Sequence, residues 1–339
     1  MTNKGELITV AVDAMGGDYA PTEIVAGAVE AAGTGDVQVL LVGDEAIVRT
    51  ELNKHDIEGL PITIIPSEGV ILENDHPALA LRQKPKASIL VSTNLVKEGK
   101  AHASVSMGST GAAMAASAII LGLIEGIERP AIGGPIIGLS SNTIILDLGS
   151  NVDCRPSQML SFAVTGEVFA RQYWHLENPR VAILSVGSEE GKGNRLVKET
   201  SELLIKSGMN FVGNIEANDL PYDKAEVVIC DGFVGNIVMK LTEGLGGALG
   251  DYIREKIGTS LPNAELDRLI SGIYEISNVA EMYGGGPLLG VNGVSIVGHG
   301  KAKSVAVRRA VNTAKDVFES GFVSVLQQEL AIVRKKVDQ

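Results

Sequence analysis

Short apolar runs rich in β-branched residues alternate along the chain with longer segments in which apolar residues recur every three or four positions. The short runs are typical of strands and the longer amphipathic segments of helices. Helices are predicted at 158–174, 193–208 and 304–334, and the apolar segment 111–124 has the length of a buried core helix. The predicted strands lie at 8–13, 37–44, 62–66, 103–108, 135–139, 142–149, 180–187, 211–216, 226–232 and 294–300.

This alternation predicts an α/β fold in which a largely parallel sheet is covered by helices on both faces. The stretch 135–147 is an exception, because its turn is too short for a crossover helix and predicts an antiparallel hairpin. Residues 245–285 carry helical patterns with no strand between them and are interpreted as a helical excursion from the sheet. Since no linker interrupts the chain, a single domain spanning 1–339 is expected.

The chain is acidic, with 41 acidic residues, 29 basic residues and a formal net charge of −12. This balance argues against a nucleic-acid partner and against strong adhesion to anionic lipid, so an anionic ligand has to be met by local cations and backbone dipoles. The two cysteines, Cys154 and Cys230, form no CxxC pair, and the N-terminus shows no secretory pattern. A soluble, cytoplasmic protein is therefore expected.

Glycines combined with polar residues follow many of the predicted strands. In an open parallel sheet these positions form the edge where ligands bind, beside the first turns of helices. A single glycine after a strand usually serves only a turn, but six such corners exceed what chain reversal requires. They lie at 13–18, 106–112, 147–151, 186–194, 230–236 and 298–304.

The common nucleotide and hydrolase motifs are missing from these corners. No GxGxxG follows a strand, and GSEEGKG at 187–193 lacks both the spacing and the Ser or Thr of a P-loop. HExxH, CxxC pairs and GxSxG are also absent. The sequence therefore disfavours nucleotide hydrolysis, zinc hydrolysis and a serine acyl-enzyme.

Taken in order, the corner motifs closely resemble those of the bacterial phosphate acyltransferases of the PlsX family, from about residue 8 to about residue 330. Ser109 and Ser150 depart from the family's usual residues, so the contacts at those corners are expected to differ. The matching motifs are VDAMGGD at 12–18, the stretch from Glu68 to Lys84, DLGSNVDCRP at 147–156, GSEEGKGN at 187–194, EANDL at 216–220, CDGFVGNIVMK at 230–240 and GGGPLLGVNGVSIVGHGKAKS at 284–304.

The resemblance implies a three-layer α/β sandwich of the isopropylmalate dehydrogenase and phosphotransacetylase type, usually a homodimer. It also implies transfer of a fatty acyl group from acyl carrier protein to inorganic phosphate, forming acyl phosphate for phospholipid synthesis. A glycerol-phosphate acyltransferase would then be a downstream partner, and no cofactor is expected.

Attack of phosphate on a thioester needs a pocket for the dianion, donors for the developing oxyanion and a proton for the departing thiol. Helix starts at 108–111 and 191–194 are predicted to hold phosphate, with Lys192 and Arg82 as cations. His299 is the candidate general acid. Catalytic roles are assigned to His299, Lys192, Asn151 and Asp231, and substrate binding to Asp13, Gly16, Gly17, Asp18, Arg82, Lys84, Ser109, Thr110, Gly111, Asn194, Asn218, Asp219, Gly232 and Asn236.

Aspartates at an anion site are a puzzle, because carboxylates repel phosphate. They are predicted to cap helices, orient cations or hold loop N–H groups so that the glycines face inward. A magnesium site for the acidic cluster is the alternative, although no spacing demands one. A covalent intermediate on Cys154 or Cys230 is disfavoured, since Cys230 ends an apolar run.

Basic residues near the start of the last predicted helix are candidates for docking the acidic carrier protein: Lys301, Lys303, Arg308 and Arg309. The segment 245–281 contains six acidic and three basic residues, so any peripheral membrane contact is expected to be weak. Two other functions stay open, a dehydrogenase of the isopropylmalate type by fold analogy and a non-catalytic scaffold that binds the carrier.

Overall fold

The computed structural model describes residues 7–140, 142–258 and 260–337, apart from the side chain of Ala78. Contacts within the chain divide it into two compact units. Unit 1 contains the residues up to Ile124 together with Tyr283–Ser324, and unit 2 contains Glu125–Met282 and the residues from Val325 onward. The chain thus passes from one unit to the other three times. The single domain expected from the sequence stays a prediction.

Unit 1 is built on six strands in the order β3-β2-β1-β4-β11-β10. All neighbouring pairs are parallel except the last, β10 with β11. Every residue of β1 is buried, as expected for a strand covered on both faces. The strands are β1 (Ile8–Asp13), β2 (Val37–Gly43), β3 (Ile62–Pro66), β4 (Ala103–Ser106), β10 (Gly286–Leu289) and β11 (Val294–Val297).

The helices of unit 1 cover this sheet. The helix that contains Gly27 packs very closely on the helix that begins at Ser304. A side chain at Gly27 would place its Cβ 2.4 Å from the carbonyl oxygen of Ser304 and 2.6 Å from Cβ of Val307. The helices are α1 (Thr22–Ala32), α2 (Glu45–Leu52), α3 (Pro77–Gln83), α4 (Ser88–Lys97), α5 (Thr110–Ala116) and α11 (Ser304–Glu319).

Unit 2 contains five strands in the order β5-β6-β9-β7-β8. β5 and β6 are antiparallel, which confirms the predicted hairpin, and the other pairs are parallel. Its core includes the fully buried Val181, Ile183 and Ile229. The strands are β5 (Ala131–Gly134), β6 (Ile144–Leu146), β7 (Val181–Leu184), β8 (Phe211–Ile215) and β9 (Val227–Ile229).

The helical excursion predicted at 245–285 is confirmed, although its first helix begins earlier, directly after β9. Across 232–282 the described residues form helices joined by short connections, with no strand among them. The helices assigned mainly or wholly to unit 2 are α6 (Pro156–Tyr173), α7 (Arg195–Ser207), α8 (Gly232–Ile257), α9 (Asn263–Ser277), α10 (Val279–Met282) and α12 (Phe322–Val337).

Three sequence predictions need correction. The helix predicted at 304–334 is two helices, because Gly321 takes a left-handed conformation with φ +68° and breaks the pattern. The strand predicted at 135–139 lies instead at Ala131–Gly134. The segment 111–124 is not one α-helix: α5 ends at Ala116 and a π-helical turn, Ser117–Leu121, follows. In the described residues, no helix combines the length and apolar character needed to cross a membrane.

Candidate active site

Three loops of unit 1 meet at the carboxyl ends of the adjacent parallel strands β1, β4 and β11. We call the loops 14–18, 107–109 and 298–300 the unit 1 corner. A Cβ at Gly16 would lie 2.9 Å from the backbone nitrogen of Gly108, and one at Gly17, where φ is +109°, would lie 3.3 Å from the oxygen of Gly300. The N–H of Asp18 donates to that same oxygen at 2.7 Å. The glycines therefore allow backbone to pack on backbone.

Asp13 holds this corner from inside the protein. Its buried carboxylate accepts a hydrogen bond from the Ser106 hydroxyl at 2.7 Å and one from the Met15 N–H at 3.2 Å, while the Gly108 N–H donates to Oγ of Ser106 at 3.1 Å. Burial raises the pKa of Asp13 above its ordinary value of 3.8, and these hydrogen bonds oppose the rise. The predicted loop-holding role fits this geometry.

His299 lies exposed in the third loop of the corner. Its Nδ1 accepts a hydrogen bond of 3.3 Å from the N–H of Lys301, which leaves Nε2 to carry the proton of the neutral ring. Lys301 and Lys303 are exposed beside it, whereas Arg308 is half-buried with its Nε 3.5 Å from Oε2 of Glu30. Of the proposed docking cations, the two lysines are the more accessible to a partner.

The start of α5 adjoins the unit 1 corner. Oγ of Ser109 accepts a 3.4 Å hydrogen bond from the N–H of Ala112 and so caps the helix, which puts Thr110 and Gly111 in its first turn. Arg82, at the end of α3, is exposed. Lys84, predicted to bind substrate, donates to Oδ2 of Asp75 at 2.6 Å.

Unit 2 has a comparable buried aspartate, Asp147, directly after β6. Oδ1 accepts from the N–H groups of Ile132 and Ser150 at 3.2 Å each, and Oδ2 accepts from the N–H of Asn151 at 2.5 Å. Burial raises the pKa of Asp147, and these hydrogen bonds oppose the rise. Oγ of Ser150 also accepts from the N–H of Ile132 at 3.1 Å. The loop 147–151 is thus fixed by its own aspartate.

Asn151, predicted as a donor to the substrate, has both amide hydrogens directed at protein acceptors. Nδ2 donates to the oxygen of Pro130 and to Oδ2 of Asp147, each at 3.0 Å, and the residue is 1% exposed. Its Oδ1 has no partner among the described residues. The geometry therefore assigns Asn151 to holding the loop.

The beginning of α8 packs on the same loop. Asp231 caps the helix by accepting a 2.9 Å hydrogen bond from the N–H of Val234, and the N–H of Gly232 donates to the oxygen of Asn151 at 2.7 Å. A Cβ at Gly235 would lie only 1.9 Å from the oxygen of Asp147. We call the loop 147–151 with the first turn of α8 the unit 2 corner. Asn236 is exposed at its rim, where a Cβ at Gly149 would lie 3.4 Å from Oδ1 of Asn236.

Lys192 lies in the loop between β7 and α7. Oδ1 of Asn194 caps α7 by accepting from the N–H of Val197 at 2.9 Å, as expected for a helix start at this loop. The Lys192 side chain is exposed and its Cγ would lie 3.2 Å from a Cβ at Gly187. Within the described ranges, Lys192 forms no ion pair. The Lys192 cation therefore lies two residues before Asn194, the residue that caps α7.

The remaining predicted binding residues lie after β8. Asp219 accepts a 3.1 Å hydrogen bond from the N–H of Glu216, at the start of the 3₁₀ helix Ala217–Tyr222, and Asn218 beside it is exposed. Asp219 therefore has a capping role, like Asp231.

Both cysteines, Cys154 and Cys230, are buried, and neither forms a disulfide bond. Burial, reinforced by the negative charge of Asp147, raises the pKa of Cys154 to about 11. Burial also raises the pKa of Cys230 far above the ordinary thiol range. Neither thiol is therefore a thiolate near neutral pH, which argues against a cysteine nucleophile.

Sequence reasoning missed Ser106, which links Asp13 to the loop 107–109. The available signal was a pair of serines, Ser104 and Ser106, inside a fully buried strand, since a buried hydroxyl normally has a partner. The described part of the chain contains no group of three or more His, Cys, Asp or Glu side chains arranged to hold a metal ion.

Comparison with known proteins gives consistent results. The family described as "Fatty acid synthesis protein" matches residues 8–325. A phosphate acyltransferase of Desulfitobacterium hafniense (strain DSM 10664 / DCB-2) is 45% identical over 326 residues, covering 95% of this chain and 97% of the relative. One from Pelotomaculum thermopropionicum is 44% identical over 331 residues, covering 96% of each chain.

Two solved structures share the fold. The EutD phosphotransacetylase from Staphylococcus aureus matches with a TM-score of 0.59 at 16% identity, covering 92% of this chain and 95% of that chain. A phosphotransacetylase from Streptococcus pyogenes matches with a TM-score of 0.55 at 17% identity, covering 96% and 95%. The expected phosphotransacetylase-like α/β fold is confirmed. The family model and the sequence relatives show that the chain belongs to the phosphate acyltransferase family, whose members are enzymes of acyl transfer.

Proposed function

We propose that this enzyme transfers a fatty acyl group from acyl carrier protein to inorganic phosphate, and that the acyl phosphate formed serves phospholipid synthesis. A phosphate oxygen attacks the thioester carbonyl carbon, the new C–O bond forms, and the C–S bond then breaks. The departing carrier thiolate takes up one proton. Phosphate is itself a competent oxygen nucleophile, so the protein mainly has to position it and stabilise charge.

The observation that carries the proposal is the exposed, unpaired ammonium of Lys192 three residues before the start of α7. The first N–H groups of a helix and a nearby cation both favour a bound anion. Asn194 uses its side-chain oxygen to cap α7, so its amide group has donors left for a phosphate oxygen. This arrangement supports phosphate binding by Lys192 and Asn194.

The sequence predicts His299 as the general acid, and its exposed ring is consistent with that role. Its Nδ1 is occupied as an acceptor, so the neutral ring has Nε2–H as its donor. The corner beneath it is held by Asp13 and Ser106 rather than by the histidine. Substitution of His299 is therefore expected to affect turnover without loosening the loops. Lys301 and Lys303, exposed beside it, support docking of an acidic carrier at this side of unit 1.

A homodimer is proposed from the surface of α8. Apolar side chains recur every three or four residues along it, and all of them are exposed in the single chain. Weak peripheral contact with a membrane is proposed for the same helical region, where the acidic balance opposes anionic lipid. The exposed apolar residues are Phe233, Ile237, Leu241, Leu245, Leu249 and Tyr252.

The proposed reaction is tested by incubating the protein with long-chain acyl carrier protein and inorganic phosphate, then trapping acyl phosphate with hydroxylamine. Product that depends on phosphate is expected, and treatment with EDTA is expected to leave its rate unchanged. Loss of product with EDTA, restored by magnesium, would favour the metal alternative.

Lys192→Ala is expected to reduce kcat/KM for phosphate by about a hundredfold, because loss of a charge-assisted hydrogen bond weakens binding in both ground and transition states. Lys198→Ala, an exposed lysine one turn into α7, is the matched control and is expected to stay within about twofold. Equal effects of the two substitutions would remove Lys192 from the site.

A further inference from the structure

Residues 67–87, between β3 and α4, form a closed loop. Its two ends are tied by backbone hydrogen bonds, from the N–H of Glu68 to the oxygen of Lys86 at 2.8 Å and from the N–H of Ser88 to the oxygen of Gly69 at 3.3 Å. Compact loops whose ends lie close together are often functional. The closed loop contains α3. It also contains the stretch from Glu68 to Lys84, one of the motifs that resemble the family.

A clasp of side chains holds the closed loop together from within. The ammonium of Lys84 donates to Oδ2 of Asp75 at 2.6 Å and to the oxygen of Val70 at 2.9 Å. The same Oδ2 accepts the N–H of Leu72 at 2.9 Å. Lys84 therefore fixes the conformation of the closed loop, and its predicted contact with substrate is not needed to explain its position.

The closed loop presents two leucines to solvent. Leu72 is 62% exposed and Leu79 is 52% exposed. Leu72 is held at its backbone by the clasp, and Leu79 lies in α3, whose neighbouring Ala80 is buried. A short loop that keeps two large apolar side chains in water gains nothing for folding from them. Exposed apolar side chains that form a patch commonly mark a binding surface, and these two lie on one closed loop.

The same face of α3 also carries a cation. Arg82 follows Leu79 by three residues, a spacing that places both side chains on one side of a helix, and both are exposed. Within the described residues, the Arg82 guanidinium has no ion-pair partner. An apolar group beside a free guanidinium is complementary to a ligand with a hydrocarbon chain and an anionic head.

The closed loop also borders the unit 1 corner. A Cβ at Gly111, in the first turn of α5, would lie 3.1 Å from Cγ of Pro77, the first residue of α3. Ser109, which caps α5, follows β4 at the corner. The first residue of α3 and the first turn of α5 are thus in direct contact, which places the closed loop beside the unit 1 corner.

We propose that Leu72 and Leu79 bind the acyl chain of the donor, so that the closed loop determines acyl-chain preference. This inference rests on the proposed function, because it assumes a fatty acyl thioester and phosphate as substrates. The Lys84 and Asp75 clasp positions the leucines and contacts neither substrate. A longer chain offers the leucines more apolar contact area, and this is the basis of the proposed preference.

The test uses the full-length protein and two donors, butanoyl and hexadecanoyl acyl carrier protein. The double variant Leu72→Ala/Leu79→Ala is expected to lower kcat/KM for the hexadecanoyl donor about tenfold, since each leucine loses apolar contact area with the chain. The butanoyl donor is expected to change by less than about twofold. Ile205→Ala, which truncates a residue of unit 2 that is 68% exposed, is the control and is expected to alter neither donor.

A second variant, Leu79→Asn, keeps the side-chain size and removes only its apolar character, and it is expected to shift the preference in the same direction. Equal rates for wild type and both variants with the long donor would overturn the inference, as would an equal loss with both donors. Retained butanoyl transfer shows that the reaction itself is intact. Absence of acyl phosphate from both donors in the unaltered protein would overturn the proposed function and this inference with it.

Discussion

Asp13 and Asp147 each lie next to a glycine-rich loop, yet their carboxylates are buried. Each carboxylate accepts several N–H or hydroxyl hydrogen bonds from its own unit. Their repulsion of an anionic substrate is reduced by these donors, and the loops gain a fixed shape. A buried aspartate at such a corner is therefore part of the support of the site.

The raised pKa of Asp13 predicts a pH-dependent stability. Because this pKa is higher in the folded than in the unfolded chain, the folded protein holds the proton more tightly, and its stability falls as pH rises through the folded pKa. Asp13→Asn removes this titration. The difference in unfolding free energy, wild type minus Asp13→Asn, is expected to decrease as the pH rises above 3.8, the ordinary pKa of this carboxyl.

Urea unfolding followed by circular dichroism at several pH values measures that difference, and other titrating groups cancel between the two proteins. Two curves that stay parallel over this range would show that Asp13 keeps its unfolded pKa. Since Asn preserves an acceptor for the Met15 N–H, the variant is expected to fold.

Residue types at the corners could be predicted from the sequence, but many of their partners could not. The loop-holding role of Asp13 follows from a carboxylate beside two glycines after a strand. The sequence predicts Asn151 as a donor to the substrate, whereas its Nδ2 donates to the oxygen of Pro130, 21 residues away along the chain. Ser106 reaches Asp13 across 93 residues. Such contacts depend on strand order, which local patterns do not specify.

Two glycines of helix α8 differ in how closely other atoms approach them. A Cβ at Gly235 would overlap the Asp147 carbonyl at 1.9 Å, whereas nothing lies within 4 Å of a Cβ at Gly247. The first glycine lets the helix approach the loop 147–151. The second lowers helix stability without a steric reason in the single chain.

Gly235→Ala is expected to destabilise the protein by about 3 kcal/mol, because the loop and the helix have to separate. Gly247→Ala, on the same helix, is expected to stabilise it by about 1 kcal/mol. Thermal and urea unfolding measure both changes. A Gly235→Ala protein as stable as wild type would contradict the close approach of α8 to the Asp147 loop.

Elements whose bounds follow the apolar pattern are predicted well, whereas those determined by a single proline or glycine are not. β1 and β3 occur at the predicted residues. The sequence predicts no strand at β10, where Pro287 has no N–H to donate to a neighbouring strand. The structure nevertheless pairs β10 with β11 in antiparallel orientation. The break between α11 and α12 depends on one left-handed glycine inside a continuous helical pattern.

At the scale of the whole molecule, the apolar stripe of α8 predicts self-association. Leu241 and Leu245 are 66% and 54% exposed and lie near its middle. Leu241→Lys/Leu245→Lys is expected to raise the dimer dissociation constant at least about a hundredfold, because two charges replace buried apolar contacts at an interface.

Sedimentation velocity over a range of concentrations measures this constant. Lys240→Ala, next to the stripe and paired with Glu243 in the single chain, is the control and is expected to leave the dimer unchanged. A monomeric wild-type protein, or an unchanged dimer in the double variant, would contradict the proposed interface.

The path of the chain between the two units has a consequence for biosynthesis. Strand β4 of unit 1 is complete at Ser106, but its neighbour β11 begins only at Val294, after Glu125–Met282 of unit 2. While the ribosome makes that intervening stretch, one edge of β4 has no partner from its own sheet. Unpaired edges of hydrophobic strands invite association between nascent chains. The synthesis of unit 2 is therefore the period in which the nascent chain is exposed to such association at β4.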